Sequence, residues 1–162
     1  MAKITFPGLN DYELMISRLT KNVDSVAGKA IYAGAGIVAD AIKENIKALP
    51  IVRGYGTTEN PLPGGVTAPQ KAGLIDGMGI SPMQNDAGYL NVKIGFDGYN
   101  ATKTDKYPQG QPNQLVALGT ESGTYWKQKS PFVRPAINAM RKPAEAKMAQ
   151  ILDQEIEKIT KG

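Results

Sequence analysis

Four acidic side chains, Asp76, Asp86, Asp97 and Glu121, are the residues through which this chain could do acid–base chemistry. Two carboxylates held about 5 to 9.5 Å apart in a cleft can divide the work of acid, base or nucleophile between them. Here the four are spread over segments that read as loops, with nothing nearby in sequence to tune them. The chain has no cysteine and no histidine. Disulfides, Cys or His zinc sites and Cys–His or Ser–His nucleophile pairs are therefore excluded, and a carboxylate-only metal site is the sole metal chemistry left. P-loop, GxGxxG, HExxH, GxSxG and calcium-loop patterns are absent. Gly34-Ala35-Gly36 lies inside a helical pattern with no strand before it, so it does not read as a dinucleotide loop. The residues predict no enzyme, no catalytic or metal-binding group and no cofactor.

Cationic chemistry is better represented. No acid occurs from Ser122 to Ala144, a stretch that holds Lys127, Lys129, Arg134, Arg141 and Lys142. Such a segment can neutralise phosphates, with a salt-dependent affinity, and the adjacent Tyr125 and Trp126 could stack on single-stranded bases. It can equally be a solvated face at a helix start. The net charge of +4 permits contact with nucleic acid or acidic protein and demands neither.

The elements that must position these groups follow from periodicity. From Asp11 to Leu49 apolar residues recur at three- and four-residue spacing: Leu14, Leu19, Val23, Val26, Ala30, Ile37, Val38, Ala41, Ile42, Ile46 and Leu49. Asn10 with Glu13 suits a capped start, Leu9 and Leu14 a hydrophobic staple, and Pro50 a stop. A straight helix of this length would reach roughly 58 Å. It must therefore break near Thr20-Lys21-Asn22 or project and be covered by a neighbour. Gly28, Gly34 and Gly36 thin its middle and predict close packing, inside the monomer or against a second subunit. The longest uncharged run, between Lys29 and Asp40, falls short of the roughly 20 residues that span a bilayer, and Met1 to Pro7 has no apolar signal core. The expectation is a soluble protein.

Most of the eighteen glycines and eleven prolines lie in the middle of the chain. Residues 51–70 lack periodicity and read as a mobile loop or arm, with Arg53, Tyr55 and Leu62 as its docking residues. Ala68 to Gly77 reads as a short helix with Leu74 and Ile75 inward. A hairpin follows: a weak strand from Met78 to Met83 limited by Pro82, a turn from Gln84 to Gly88, and a strand from Tyr89 to Phe96. In the last, Leu90, Val92, Ile94 and Phe96 alternate with polar or small residues. Residues 98–113 form a second loop, and Gln114 to Leu118 is too short to assign by period.

The C-terminal helix is expected from about Pro135 to Ile159, with Ile137, Met140, Ala144, Met148, Ile151, Leu152, Ile156 and Ile159 on its apolar face. Pro143 should kink it. Ser130 is a candidate cap, and Pro131 or Pro135 suits a first turn. The fold class is α+β: a long N-terminal helix and a kinked C-terminal helix on a small antiparallel sheet, with long central loops, in one domain spanning 1–162.

Leu118-Gly119-Thr120, a few polar residues to Trp126, and then Pro131-Phe132-Val133-Arg134-Pro135-Ala136-Ile137 at a helix start form the junction of the chain. In this junction, in length and in the long N-terminal helix, the chain resembles the head–tail connector or tail-completion (neck) proteins of long-tailed bacteriophages. The likeness also supports a helical turn at Gln114 to Leu118. It implies a structural virion protein at the neck, made in the bacterial cytoplasm, that joins copies of itself in a ring, six-fold by the resemblance. Its partners would be portal, adaptor or head-closure proteins and tail tube or terminator proteins. Leu118, Gly119, Thr120, Trp126, Phe132, Arg134 and Pro135 would form the subunit or partner interface. Lys127, Lys129, Arg141 and Lys142 would face channel DNA or an acidic partner. Relatives often carry an acid two positions before Gly-Thr; this chain has Ala117 there, so no contact through that acid carries over. The rival reading is a small basic nucleic-acid-binding protein.

Overall fold

A computed structural model describes the backbone of residues 9–162, and the side chains of Leu14 and of residues from Ile16 onward. Helix α1 runs unbroken from Leu9 to Ala48. Of the two alternatives, a break at Thr20-Lys21-Asn22 or a projecting helix, the break does not occur. Thr20 Oγ1 donates to the Ile16 carbonyl (2.9 Å) and Asn22 Nδ2 to that of Arg18 (2.7 Å), so both polar side chains fold back onto the helix. The proposed cap and staple fall on Leu9, Asn10 and Glu13, whose side chains lie outside the described residues. Pro50 disfavours helical backbone at Leu49, and the helix ends there. Lys71 Nζ, at 2.9 Å from the Leu49 carbonyl, places a cation at that C-terminal end.

Helix α4 (Val133–Lys161) packs along α1 and passes through Pro143 without interruption. Three contacts set its direction. Asn45 Nδ2 donates to the Phe132 carbonyl, a Cβ on Gly34 would touch Met148 and the Ala144 carbonyl, and Lys29 pairs with Glu155. Rising numbers on α1 meet falling numbers on α4, so the helices are antiparallel. Gly34 thus serves packing within the monomer, whereas Gly36 has open space where a side chain would be.

The pairing also shows where the support stops. Lys29 meets Glu155, and α4 ends six residues later, so α1 outruns its partner over roughly its first 14 residues, about 20 Å. No described side chain from Leu14 to Ser25 is buried, and Leu14, Ile16 and Val23 are each more than half exposed. By mean hydropathy, 1.2 over its best window, Ile16–Ala48 has the length and composition of a membrane-crossing helix. Its second half, however, is committed to the core through Ala30, Ala39, Ile42 and Ile46.

The core lies at the other end of α1. Ile42, Ile46 and Leu49 meet Val66, Leu74 of α2 (Ala68–Gly77), Val116 and Ala117 of α3 (Asn113–Ser122), and Phe132 and Ala136. The sequence reading placed α2 correctly but missed its cap: Thr67 and Gln70 exchange side-chain-to-backbone hydrogen bonds in a capping box.

The hairpin is broken into two antiparallel ladders. β1 (Met78–Ile80) pairs with β4 (Ile94–Phe96), Met78 opposite Phe96. β2 (Gln84–Asp86) pairs with β3 (Tyr89–Asn91), Gln84 opposite Asn91. The interruption falls at Ser81-Pro82-Met83 opposite Val92-Lys93. Pro82 has no N–H to offer; Ser81 still donates its N–H to the Lys93 carbonyl (2.8 Å), while its Oγ rather than its carbonyl accepts from the Lys93 N–H (2.9 Å). The turn is shorter than expected, because Gln84 to Asp86 is strand and only Ala87-Gly88 turns. Both have positive φ, 54° and 92°, as a two-residue type I′ turn requires. Ala87 is the only described non-glycine residue in that region. Ala87→Gly should raise unfolding free energy by about 1 kcal/mol in denaturant titration, because alanine's Cβ crowds its own carbonyl there.

Candidate functional site

The junction between α3 and α4 is built around one carboxylate. Glu121, in the last turn of α3, accepts hydrogen bonds from the backbone N–H groups of Phe132 (2.8 Å), Val133 (2.9 Å) and Arg134 (3.0 Å). These are donors that a helix start leaves without intrahelical partners, so a side chain eleven residues upstream caps α4. Ser130, the expected cap, is not used: α4 has no cap from its own neighbouring side chains. Ser130 instead gives its N–H to the Thr120 carbonyl at 2.7 Å, closing the loop below the cap. Burial pushes the Glu121 carboxyl up, but the three N–H donors and the Arg134 charge outweigh it and hold it below its ordinary value. Glu121 is therefore tuned, contrary to the sequence reading, and it is tuned for structure.

Around the cap, the two polar loops are anchored. Val52 donates to the Val66 carbonyl (2.9 Å) and Val66 to that of Pro50 (3.0 Å), which closes the base of the first loop. Leu62 then donates to the Trp126 carbonyl and accepts from Gln128, both at 2.9 Å. A Cβ on Gly56 would lie 1.9 Å from the Trp126 carbonyl oxygen, so only glycine permits this approach. Residues 51–70 are thus not a free arm. Between these anchors Arg53 to Tyr55 and Thr57 to Pro61 stay exposed, Tyr55 at 95%. The second loop is held by buried Asn100 and Asn113. Asn113 Nδ2 donates to the Asp97 carbonyl (2.8 Å), and Asn100 Nδ2 to the carbonyl of Gln111 (3.1 Å).

Between these loops and α3 lies a cleft of about 820 Å³. Val52, Tyr55, Leu62, Leu115, Leu118 and Trp126 supply its apolar wall, and among the described residues Lys127 is the only charged one lining it. Thr124 and Lys127 bridge across a two-residue turn that raises Tyr125 and Trp126 at the rim. Lys127 Nζ reaches Thr120 Oγ1 at 3.2 Å, and its burial lowers the ammonium pKa. On the other side of α3 a second cleft of about 500 Å³ is lined by Phe96, Asp97, Ala117, Leu118, Arg134 and Ile137, so Leu118 stands on the ridge between the two.

The residues predicted for an interface divide accordingly. Leu118, Trp126, Arg134 and Pro135 are exposed, and Gly119 is half-buried. Thr120 and Phe132 are fully buried, and Phe132 stacks edge-on against Phe96 at 5.8 Å. They belong to the core, not the surface. Arg53 and Tyr55 are exposed, whereas Leu62 is half-buried by its pairing with Lys127. Lys129, Arg141 and Lys142 face solvent, whereas Lys127 is half-buried and lines the cleft. Ala117 is buried. Among the described residues, no three acidic side chains converge as metal ligands would. The cleft itself was not foreseen, because it forms only when residues 51–66, 98–111 and 113–128 come together. No protein-family profile, curated protein or solved structure matches the chain.

Two substitutions separate junction chemistry from packing. Glu121→Gln should cost about 1–2 kcal/mol of stability near neutral pH, in the range of a lost charged cap. Since the folded carboxyl titrates below its ordinary value of 4.5, the stabilisation is complete above that pH and is lost as pH falls through the folded pKa. The gap in Tm between wild type and variant should therefore narrow in acid. Phe132→Ala should destabilise the isolated monomer by about 3–5 kcal/mol, a loss readable without any partner present.

Proposed function

We propose that this protein is a structural component of a tailed bacteriophage, a ring-forming head–tail connector or tail-completion protein that joins the capsid portal complex to the tail. The reading takes its direction from the Gly119-Thr120 to Pro131-Phe132 junction, in which the chain resembles such neck proteins. One observation carries it: α1 extends past the end of α4 with Leu14, Ile16 and Val23 exposed. An isolated monomer gains nothing from holding that apolar face in water, at roughly 25 cal/mol per Å² of surface left uncovered. In an assembly, the same face buries against a neighbouring copy.

The chemistry of such a role is binding and sealing. The α1–α4 pair provides the rod, the capped junction fixes α4 against α3, and the exposed loop tips and hairpin meet adjoining rings. Exposed Lys129, Arg141 and Lys142 favour a second reading, that of a small basic nucleic-acid-binding protein. It predicts tight binding of duplex or single-stranded DNA by the free protein, weakening steeply with salt.

Electron microscopy of particles made without this protein tests the leading reading. Filled heads and separate tails are expected; normally joined virions would remove it. The double variant Ile16→Asp, Val23→Asp should stay folded by circular dichroism, since both side chains are already exposed, yet fail to restore joining. Full restoration would show that the α1 face is not the subunit contact.

A further inference from the structure

We infer that the 820 Å³ cleft receives an apolar segment of a partner chain carrying one carboxylate, and that Lys127 is the group that pairs with it. The shape comes first. The cleft lies towards the upper end of the roughly 300–1,000 Å³ range of ligand pockets, but it is not closed over. Tyr55, Leu115, Leu118 and Trp126 stand exposed along its wall and rim, from 45% to 95% of their surfaces. A small molecule sunk in the floor would leave these rings and aliphatic groups in water. A peptide lying along the cleft covers floor and rim together.

Charge selects the occupant further. Lys127 is the single ion in the lining, and no carboxylate pairs with it among the described residues. Among the described residues its one hydrogen-bond acceptor is the Thr120 hydroxyl, and an ammonium has two further protons to donate. A half-buried ammonium of this kind has lost part of its hydration, and a carboxylate brought from outside would compensate that loss. The wall also contains Thr102, whose hydroxyl is the one buried side-chain polar atom without a partner among the described residues. Apolar surface with a lone cation at one end rejects phosphodiester backbones, which need many charges neutralised. It accepts a sequence such as Leu-Glu-Leu.

That the occupant is a protein segment rests on the assembly reading; the cleft and its cation do not. The test is therefore made on the free protein, so that it stands apart from particle imaging. Trp126 is the only tryptophan and lies in the cleft wall, so its fluorescence reports occupancy directly. The probes are acetyl-Leu-Glu-Leu-Phe-amide, its Gln counterpart and dodecanoate. The Glu peptide should change Trp126 emission saturably and bind about tenfold or more tightly than the Gln peptide, as a charge-assisted hydrogen bond predicts. Lys127→Met, which keeps the aliphatic stem, should equalise the two peptides while the far-ultraviolet spectrum stays unchanged. Leu118→Ser, on an exposed residue, should weaken both alike. A null response to both peptides, equal binding by wild type, or a Glu preference that survives in Lys127→Met would each overturn the assignment. Saturable binding of dodecanoate alone would overturn it in favour of a small-amphiphile site.

Discussion

A single carboxylate holds the α3–α4 junction of this molecule in register. Without Glu121, three N–H groups at the head of α4 would be left facing a partly buried junction with no acceptor. With it, the end of α3 is locked to the start of α4, and Thr120 to Ser130 must close as a compact loop. The Gly-Thr-Glu run and the Pro-Phe-Val run, twelve residues apart, are two halves of one cap. Phe132 can then enter the core beside Ile42 and Leu74, and the turn between Thr124 and Lys127 leaves Trp126 at the rim.

The helix pair and the cap divide the labour. Antiparallel packing of α1 on α4 gives length and stiffness, with Gly34 drawing the backbones together at Met148. The capped junction and the two anchored loops give shape, namely two clefts separated by the ridge of Leu118. Each polar loop is secured by backbone pairing or by buried asparagines, so its glycines serve close contact more than freedom. Lys127 differs from the other cations of its segment because the Thr124–Lys127 bridge turns it inward.

Much of the frame was legible in the sequence because it rests on periodicity. The apolar stripe of α1 from Val26 onward, the inward Leu74 of α2 and the alternation of Leu90, Val92, Ile94 and Phe96 are local patterns that burial follows. The helix ends and the site were harder, for one physical reason: the deciding partners are distant in sequence. Nothing near Ser130 indicates that Glu121 will supply the cap, and Glu121 looked like a surface acid until three backbone donors were placed on it. The break in the hairpin was partly visible at Pro82, but its counterpart at Lys93 required the register. Residues 51–70 read as free chain because a run of Gly and Pro looks alike whether it is loose or pressed against another backbone, as Gly56 is against Trp126.

The unequal lengths of α1 and α4 have a mechanical consequence. An unbroken helix gripped along one half acts as a lever, with the Gly34–Met148 contact as its bearing. A small tilt at that bearing is multiplied by distance before it reaches Ile16. Whatever seats itself at one end of the rod is thereby coupled to the packing at the other.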